Sequence, residues 1–452
     1  MLSNEKQKQF ARLAVEIGVN LQKGQILIIN SPIECGEFAR IIAETAFEAG
    51  AKDVFVYWKD EKLSKIRYQH ADTETLVDIP EWMVAQKLYG VTQKAAHISI
   101  TSDDPDIFEG IDAGKIKAYS TASSKKFIEF RKATMSNAVR WCIVPVPSVN
   151  WAKKIFPNCS DEQAVDKLWD AIAVTMRLNE KDPVKAWKEH NEKLEHRAKF
   201  LNEHNFEYIR MTNSKGTDLK VGLAEGHIWT GAGEKALDGI NFTANMPTEE
   251  VFTAPHKYKV NGIVKSALPL VENGTVIDDF FIEFKDGRVC NFGAAKGYET
   301  LKNLVETDEG SHYLGEIALI GKHSPISELG ILFYNTLFDE NASCHLALGR
   351  GLNSSPAGNP DLFNDSTIHI DFMIGTPDMK IVGTTEDGRL LFARNPGGAP
   401  ANVAVQAKRA GVSAGFLGRV GQDMFGNFLV STLRDCGVEI QGLSQDPDYA
   451  TT

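Results

Sequence analysis

The sequence has no C-x-x-C pair, and its six cysteines, Cys35, Cys142, Cys159, Cys290, Cys344 and Cys436, are spread along 452 residues. A disulfide framework is not expected; free buried thiols in a reducing compartment are. No apolar run reaches the roughly 18 residues of a membrane helix. The opening MLSNEKQKQF lacks the apolar stretch of a signal peptide, so the expected location is cytoplasmic, with no membrane partner. Positive charge is not in excess: the formal net charge is -11 and the pI is near 5.6. Phosphate binding needs a basic face, which argues against nucleic acid as a partner. What is present is 43% hydrophobic, 24% charged and 9% aromatic residues, enough for more than one core and unlike a disordered chain.

Residues 1–185 read as an α/β domain with bridging helices. Phe10, Leu13, Ala14 and Ile17 recur at helical spacing, and Ile26–Ile29 is a short apolar run that reads as a buried strand. Phe38, Ile41, Ile42 and Ala46 mark a helix stopped by Gly50. Val54–Trp58, His97–Ile100 and Cys142–Val144 continue the alternation, which predicts a parallel sheet covered on both faces. No G-x-G-x-x-G follows the first strand, which runs into Asn30–Ser31–Pro32, so no nucleotide site is expected there. His97 reads as a strand histidine with a hydrogen bond. Ser160-x-x-Gln163 is a capping box and Pro183 suits a first helical turn. His190, His196 and His204 do not share one helix face and read as a solvated surface.

From Phe206 the texture changes to short strands and polar turns. Lys285–Asp286–Gly287, between Phe280–Phe284 and Val289, is a hairpin signal. Residues 186–390 are therefore expected to form an α+β, largely antiparallel domain. Within it, Asn241–His256 reads NFTANMPTEEVFTAPH. The adjacent acids Glu249 and Glu250 precede the apolar pair Val251–Phe252, and acids in such a setting are costly unless a cation neutralises them. Gly315–Glu316–Ile317, Cys344–His345–Leu346 and Ile368–His369–Ile370–Asp371–Phe372 each embed an acid or imidazole among apolar residues. Carboxylate oxygen with imidazole nitrogen suits Zn, Mn or Co. The i, i+2 spacing of His369 and Asp371 puts both on one face of a strand. Cys344 reads as a packing residue. Spacing alone leaves open both a metal site and a set of separately satisfied core residues.

MPTEEVFTAPH, the lone Glu316, SCHLALG and IHIDFMIG, in that order, resemble the motifs of the thermophilic-type metalloaminopeptidases, the aminopeptidase T, aminopeptidase S and PepS family. The similarity runs over residues 1–390. It implies a cytoplasmic exopeptidase acting on peptides, with two divalent metal ions (Zn, Co, Mn or Mg). It implies Glu250, Glu316, His345, His369 and Asp371 as the ligands, and Glu316 is assigned the bridge. Two metals would lower the pKa of a bound water and polarise the scissile carbonyl. Glu249 is the candidate general base, although strand alternation would point its carboxylate away from that of Glu250. His256 is a candidate to orient a ligand, or a structural residue at a strand end. A homodimer that restricts access to long peptides is also expected. The family carries a Tyr shortly after HLALG, where this chain has Leu352. Leu has no hydrogen-bond donor for an oxyanion, so reduced activity is expected.

Residues 391–452 have another texture, ARNPGGAPANVAVQ followed by FLGRVGQD. This resembles the N-terminal part of a ribokinase-type sugar kinase, a fructokinase. Gly397, Gly398 and Asn402 match its early sugar-contacting positions. The family's G-A-G-D motif, implied to supply base and anion hole, does not occur before Thr452. Gly231–Ala232–Gly233–Glu234 lacks the Asp and reads as a turn. The tail is expected to be a truncated α/β fragment without kinase activity that exposes apolar residues such as Phe416, Leu417, Phe425 and Phe428. The competing readings are a sugar (fructose) kinase or sugar-binding fusion protein, and a catalytically impaired metal-binding scaffold.

Overall fold

The computed structural model describes residues 2–231, 233–272, 275–351, 360–385, 390–392, 404–405, 407–408 and 413–447. The chain forms two compact units, Met1–Leu390 and Leu391–Thr452.

The first unit opens with a helix, Asn4–Arg12, that runs on into a π-helical turn, Leu13–Gly18. A parallel sheet follows, built from β1 (Ile26–Pro32), β2 (Asp53–Lys59), β3 (Ala96–Thr101) and β4 (Trp141–Pro145) in the order β2-β1-β3-β4. Its strands are apolar on both faces because helices cover both. Leu27, Ile29, Ile98 and Val144 meet Phe10, Phe38, Ile42 and Trp151 on one side. Ile26, Ile28 and Ala95 meet Phe55 and Tyr57 on the other. The first of these cores also takes in Met246, Ile326, Phe333 and Phe338, so the parallel layer is packed against the part of the chain that follows. His97 differs from expectation. It is buried with its ring edge-on to Phe130, and its Nε2 has no hydrogen-bond partner.

The helix Asp161–Thr175 starts with the capping box of Ser160 and Gln163, and the helix Pro183–His204 starts with Pro at its first position. The second helix then leads into antiparallel structure. Its strands are β5 (Tyr208–Thr212), β6 (Asp218–Leu223), β7 (Thr230–Gly231), β8 (Glu234–Lys235), β9 (Asn241–Phe242), β10 (Glu250–Thr253), β11 (Pro255–Lys265), β12 (Leu270–Glu272), β13 (Thr275–Lys285), β14 (Arg288–Lys296), β15 (Leu314–Ile320), β16 (His345–Gly349), β17 (His369–Met373) and β18 (Lys380–Thr384). One sheet runs β12-β13-β11-β6-β5-β18, with β14 beside β13. The β13–β14 turn is Asp286–Gly287, both at positive φ, which is the hairpin that the Asp-Gly pair announces. The other sheet runs β17-β16-β15-β10-β7. It carries the five implied ligands, Glu250, Glu316, His345, His369 and Asp371.

The second unit follows from the short strand β19 (Leu390–Phe392), which spans the junction. It then pairs β20 (Gly415–Gly421) with β21 (Glu439–Asp446) in parallel around a small core of Ala404, Leu433 and Val438. Leu417 is 88% exposed, as expected of an uncovered strand, whereas Phe416 and Phe428 are partly buried. Gly397, Gly398, Asn402 and the side chain of Phe425 lie outside the described residues. Across the chain all six cysteines are free. Cys35, Cys142 and Cys344 are buried, but Cys159 and Cys436 are only partly so and Cys290 is exposed. Among the described residues no helix is long and apolar enough to cross a membrane.

Candidate metal centre

Strand register assembles the site. In an antiparallel sheet, residues directly opposite one another share a face, and side chains alternate along each strand. Glu316 stands opposite Ala347, and Ala347 stands opposite Asp371. One step along, Ala318 is opposite His345; one step the other way, Gly349 is opposite His369. Glu250 is opposite Ile320, two residues beyond Ala318, and so lies on the same face. Five candidate ligands from four neighbouring strands thus share one side of one sheet. The residues between them are Ala318, Ala347 and Gly349, which are small enough to leave room for ions.

The distances agree with that layout. His345 Nε2 lies 3.2 Å from Glu250 Oε2 and 3.5 Å from Glu316 Oε1. His369 Nε2 lies 3.5 Å from Glu316 Oε2 and 3.4 Å from Asp371 Oδ1. The ligand atoms fall into two compact groups, Glu250–Glu316–His345 and Glu316–His369–Asp371, each within 4.8 Å. Glu316 belongs to both. Glu250, Glu316 and His345 are buried, Asp371 keeps 12% of its side chain accessible, and His369, at 26%, is the most open of the five.

The imidazoles are held as metal ligands are held. His345 Nδ1 is 2.8 Å from the Glu340 carbonyl, and His369 Nδ1 is 2.7 Å from the Arg350 carbonyl. A carbonyl only accepts, so each Nδ1 carries a proton, and each Nε2 turns its lone pair toward the carboxylates. Lone pair against carboxylate oxygen is repulsive unless a cation or a proton stands between. Glu250 Oε2 and Asp371 Oδ1 accordingly have no hydrogen-bond partner. The residues fit a divalent cation: buried, orphaned oxygens and oriented nitrogens in a mixed O/N set of the kind that Zn, Co and Mn take.

Without a cation, protons do the same work. Burial alone would lower the pKa of His345, but the nearby carboxylates of Glu250 and Glu316 outweigh it and raise it well above the ordinary value. His369 is likewise depressed by burial and raised more strongly by Asp371 and Glu316, to about 10. Burial, reinforced by Asp371 and Glu250 against the opposing His345, pushes the Glu316 carboxyl up.

Sequence reasoning missed Glu340. Burial pushes its carboxyl well above the usual range, and so do the charges of Asp371, Glu250 and Glu316. It lies close enough to feel the three acids yet belongs to neither ligand group. Glu340 sits in a 3-10 turn, Glu340–Ala342, within the polar string FDENAS, and nothing in that string marks it as partly buried.

Glu249 and His190 also depart from expectation. Glu249 is buried, but its Oε1 accepts from Arg177 Nη2 at 2.7 Å, and its backbone N–H donates to Asn341 Oδ1 at 2.8 Å. His190 is not solvated: it is buried, with Nε2 2.8 Å from the Thr248 carbonyl and Nδ1 3.0 Å from Arg177 Nη2. His256 is buried and its Nδ1 accepts the Tyr258 N–H, a bond within its own strand. Leu352 lies outside the described residues.

A zinc-compatible cluster on one sheet face, framed by a parallel α/β layer, defines a metallohydrolase type of centre, and comparison with known proteins narrows it. The profile of the thermophilic metalloprotease (M29) family matches residues 3–395. The chain is 43% identical over 395 residues to aminopeptidase AmpS of Bacillus subtilis, covering 85% of this chain and 96% of that protein. The structure of wild-type AmpT from Thermus thermophilus superposes with a TM-score of 0.81 at 35% identity, covering 86% of this chain and 98% of that one. The chain belongs to the thermophilic metalloprotease family, and it is a metal-dependent peptidase. Residues 390–452 match the pfkB family carbohydrate kinase profile. The chain is also 53% identical over 66 residues to the fructokinase of Escherichia coli, a match that spans only 21% of that protein's length. The kinase profile match covers the short second unit.

Proposed function

We propose that the chain removes N-terminal residues from peptides using two divalent ions, held by Glu250, Glu316 and His345 on one side and by Glu316, His369 and Asp371 on the other. The observation that carries this reading is the membership of Glu316 in both ligand groups. When bound, such ions make a water acidic enough to attack at neutral pH and polarise the scissile carbonyl. Glu340 is our candidate to take the proton from that water, because its carbonyl holds His345 Nδ1 and its carboxyl feels the charges of Asp371, Glu250 and Glu316. Glu249 is reassigned: its carboxylate is held by Arg177, which supports a positioning role over that of a base. The Arg350 and Glu340 carbonyls keep both imidazoles in the tautomer that presents Nε2.

We further assign residues 1–185 to a domain that shapes access and residues 186–390 to the catalytic domain. The free thiols support a reducing, cytoplasmic setting, and a homodimer remains our expectation, testable by sedimentation. The sugar-kinase-like unit takes no part in this reading. The direct test compares aminoacyl p-nitroanilides with their N-acetylated forms. Cleavage of the free amines alone, abolished by chelation, supports an aminopeptidase; equal cleavage of the blocked substrates rules it out.

A further inference from the structure

The dipeptide that leads into the ligand Glu250, Thr248–Glu249, is held at three points. His190 Nε2 donates to the Thr248 carbonyl at 2.8 Å. Asn341 Oδ1 accepts the Glu249 N–H at 2.8 Å, and its amide donates to the Leu337 carbonyl at 3.0 Å. Arg177 Nη2 reaches Glu249 Oε1 at 2.7 Å and His190 Nδ1 at 3.0 Å, so one guanidinium ties the other two together. With Nε2 donating and Nδ1 accepting, His190 is a neutral imidazole with both nitrogens used.

Arg177 occupies an unusual place. It follows the helix Asp161–Thr175 and its cap Met176, at φ +57°, a left-handed conformation that helix ends usually give to Gly or Asn. An arginine there is explained by its side chain. The guanidinium lies 4.8 Å from the Trp187 ring centre, and Trp187 in turn donates its Nε1–H to the Met176 carbonyl at 2.8 Å. The stop of one helix is thereby fastened to the face of the next, and both are fastened to Glu249.

Asn341 links this frame to the far side of the site. It is fully buried, and its neighbour Glu340 supplies the carbonyl that fixes His345 Nδ1. One turn therefore sets the backbone in front of Glu250 on β10 and the ring of His345 on β16, two strands that are separated by β15.

We propose that Arg177, His190, Glu249 and Asn341 form a positioning frame that fixes the ligand Glu250 relative to His345 and thereby sets the affinity of the ion that they share. The inference rests on the two-metal reading above. These are positioning residues, not catalytic ones: Glu249 acts by holding backbone, and Arg177 acts through Glu249. Partners of this kind, one shell outside a metal, typically change affinity or activity ~10–100-fold when removed.

The test measures zinc affinity of the metal-stripped full chain by competition with a chromophoric chelator, well below the melting temperature of each variant. Glu249→Ala is expected to weaken zinc binding ~10–100-fold. Glu249→Gln, which keeps an oxygen for Arg177, is expected to recover most of that loss and to lower kcat with little change in KM. Arg177→Lys, which cannot bond Glu249 and His190 together, is expected to fall between wild type and Glu249→Ala, and it serves if the alanine variant fails to fold. Ile28→Val, in the separate core on the other face of the parallel sheet, controls for lost stability and is expected to leave zinc affinity unchanged. Wild-type affinity in folded Glu249→Ala and Arg177→Lys, with only a lower Tm, would overturn the frame. So would a Glu249→Gln variant that keeps full zinc affinity yet loses activity as completely as Glu249→Ala, because that is the pattern of a general base. Failure of the wild-type chain itself to bind zinc would instead strike the two-metal reading.

Discussion

Glu316 and Asp371 stand in one row of the sheet with only Ala347 between them. Three strands contribute one residue each to that row, and the middle one has no side chain beyond Cβ. The hollow that results is where the two ligand groups meet. Substituting Ala347→Leu should fill it. The expected result is a folded protein, destabilised by about 1–3 kcal/mol from overpacking, that takes up at least ~10-fold less metal. Normal metal content in that variant, by elemental analysis, would place the ions elsewhere.

Glu340→Gln should separate base from ligand. The amide keeps size and polarity but accepts no proton. A loss of ~10²–10⁴ in kcat with metal content intact is expected of a general base. Loss of one equivalent of metal would make Glu340 a ligand instead.

Leu352→Tyr should raise kcat. The position is where the family carries a phenol, and restoring a donor to an oxyanion is worth up to ~10²–10³ when the geometry is right. An unchanged or lower kcat, with metal intact, would indicate that the loop no longer reaches the reacting carbonyl.

A pH effect is expected far from the metals. Glu61 lies against Asp103 and Lys59, with Lys59 Nζ 3.4 Å from Glu61 and 2.8 Å from Asp103. Asp103, nearer the cation, is the acid that ionises; burial and the shared proton raise Glu61 to about 7. The folded state then holds a proton that the unfolded state releases near 4.5. Between those values stability should fall as pH rises, by about 1–2 kcal/mol after discounting for solvent screening. Glu61→Gln should flatten that slope in denaturant titrations at pH 4.5 and 7. An unchanged slope would remove Glu61 as its source.

The ligands were legible because each is a polar residue set among apolar neighbours on a strand, a pattern that is costly unless something answers it. The parallel layer was legible for a related reason: short apolar runs such as Ile26–Ile29 alternate with amphipathic helices. Glu340 was not, because a Glu in a polar turn looks like any surface acid until tertiary packing closes over it. His190 misled for the same reason. Its helix is charged overall, yet one side of it meets Arg177 and Thr248, which lie 13 and 58 residues away in sequence. Glu249 shows both sides. Alternation along the strand already argued that it points away from Glu250, but the arginine that receives it comes from a helix end with no signature beyond an unusual residue at a stop.

The most direct measurement is metal stoichiometry against activity. The purified chain is stripped with a chelator, then refilled stepwise with Zn, Co or Mn while bound metal and cleavage of a free-amine aminoacyl p-nitroanilide are followed together. The account predicts no activity in the stripped protein, two ions bound per chain at saturation, and full activity only as the second ion enters. Activity that survives complete stripping, or that saturates with a single bound ion, would contradict it.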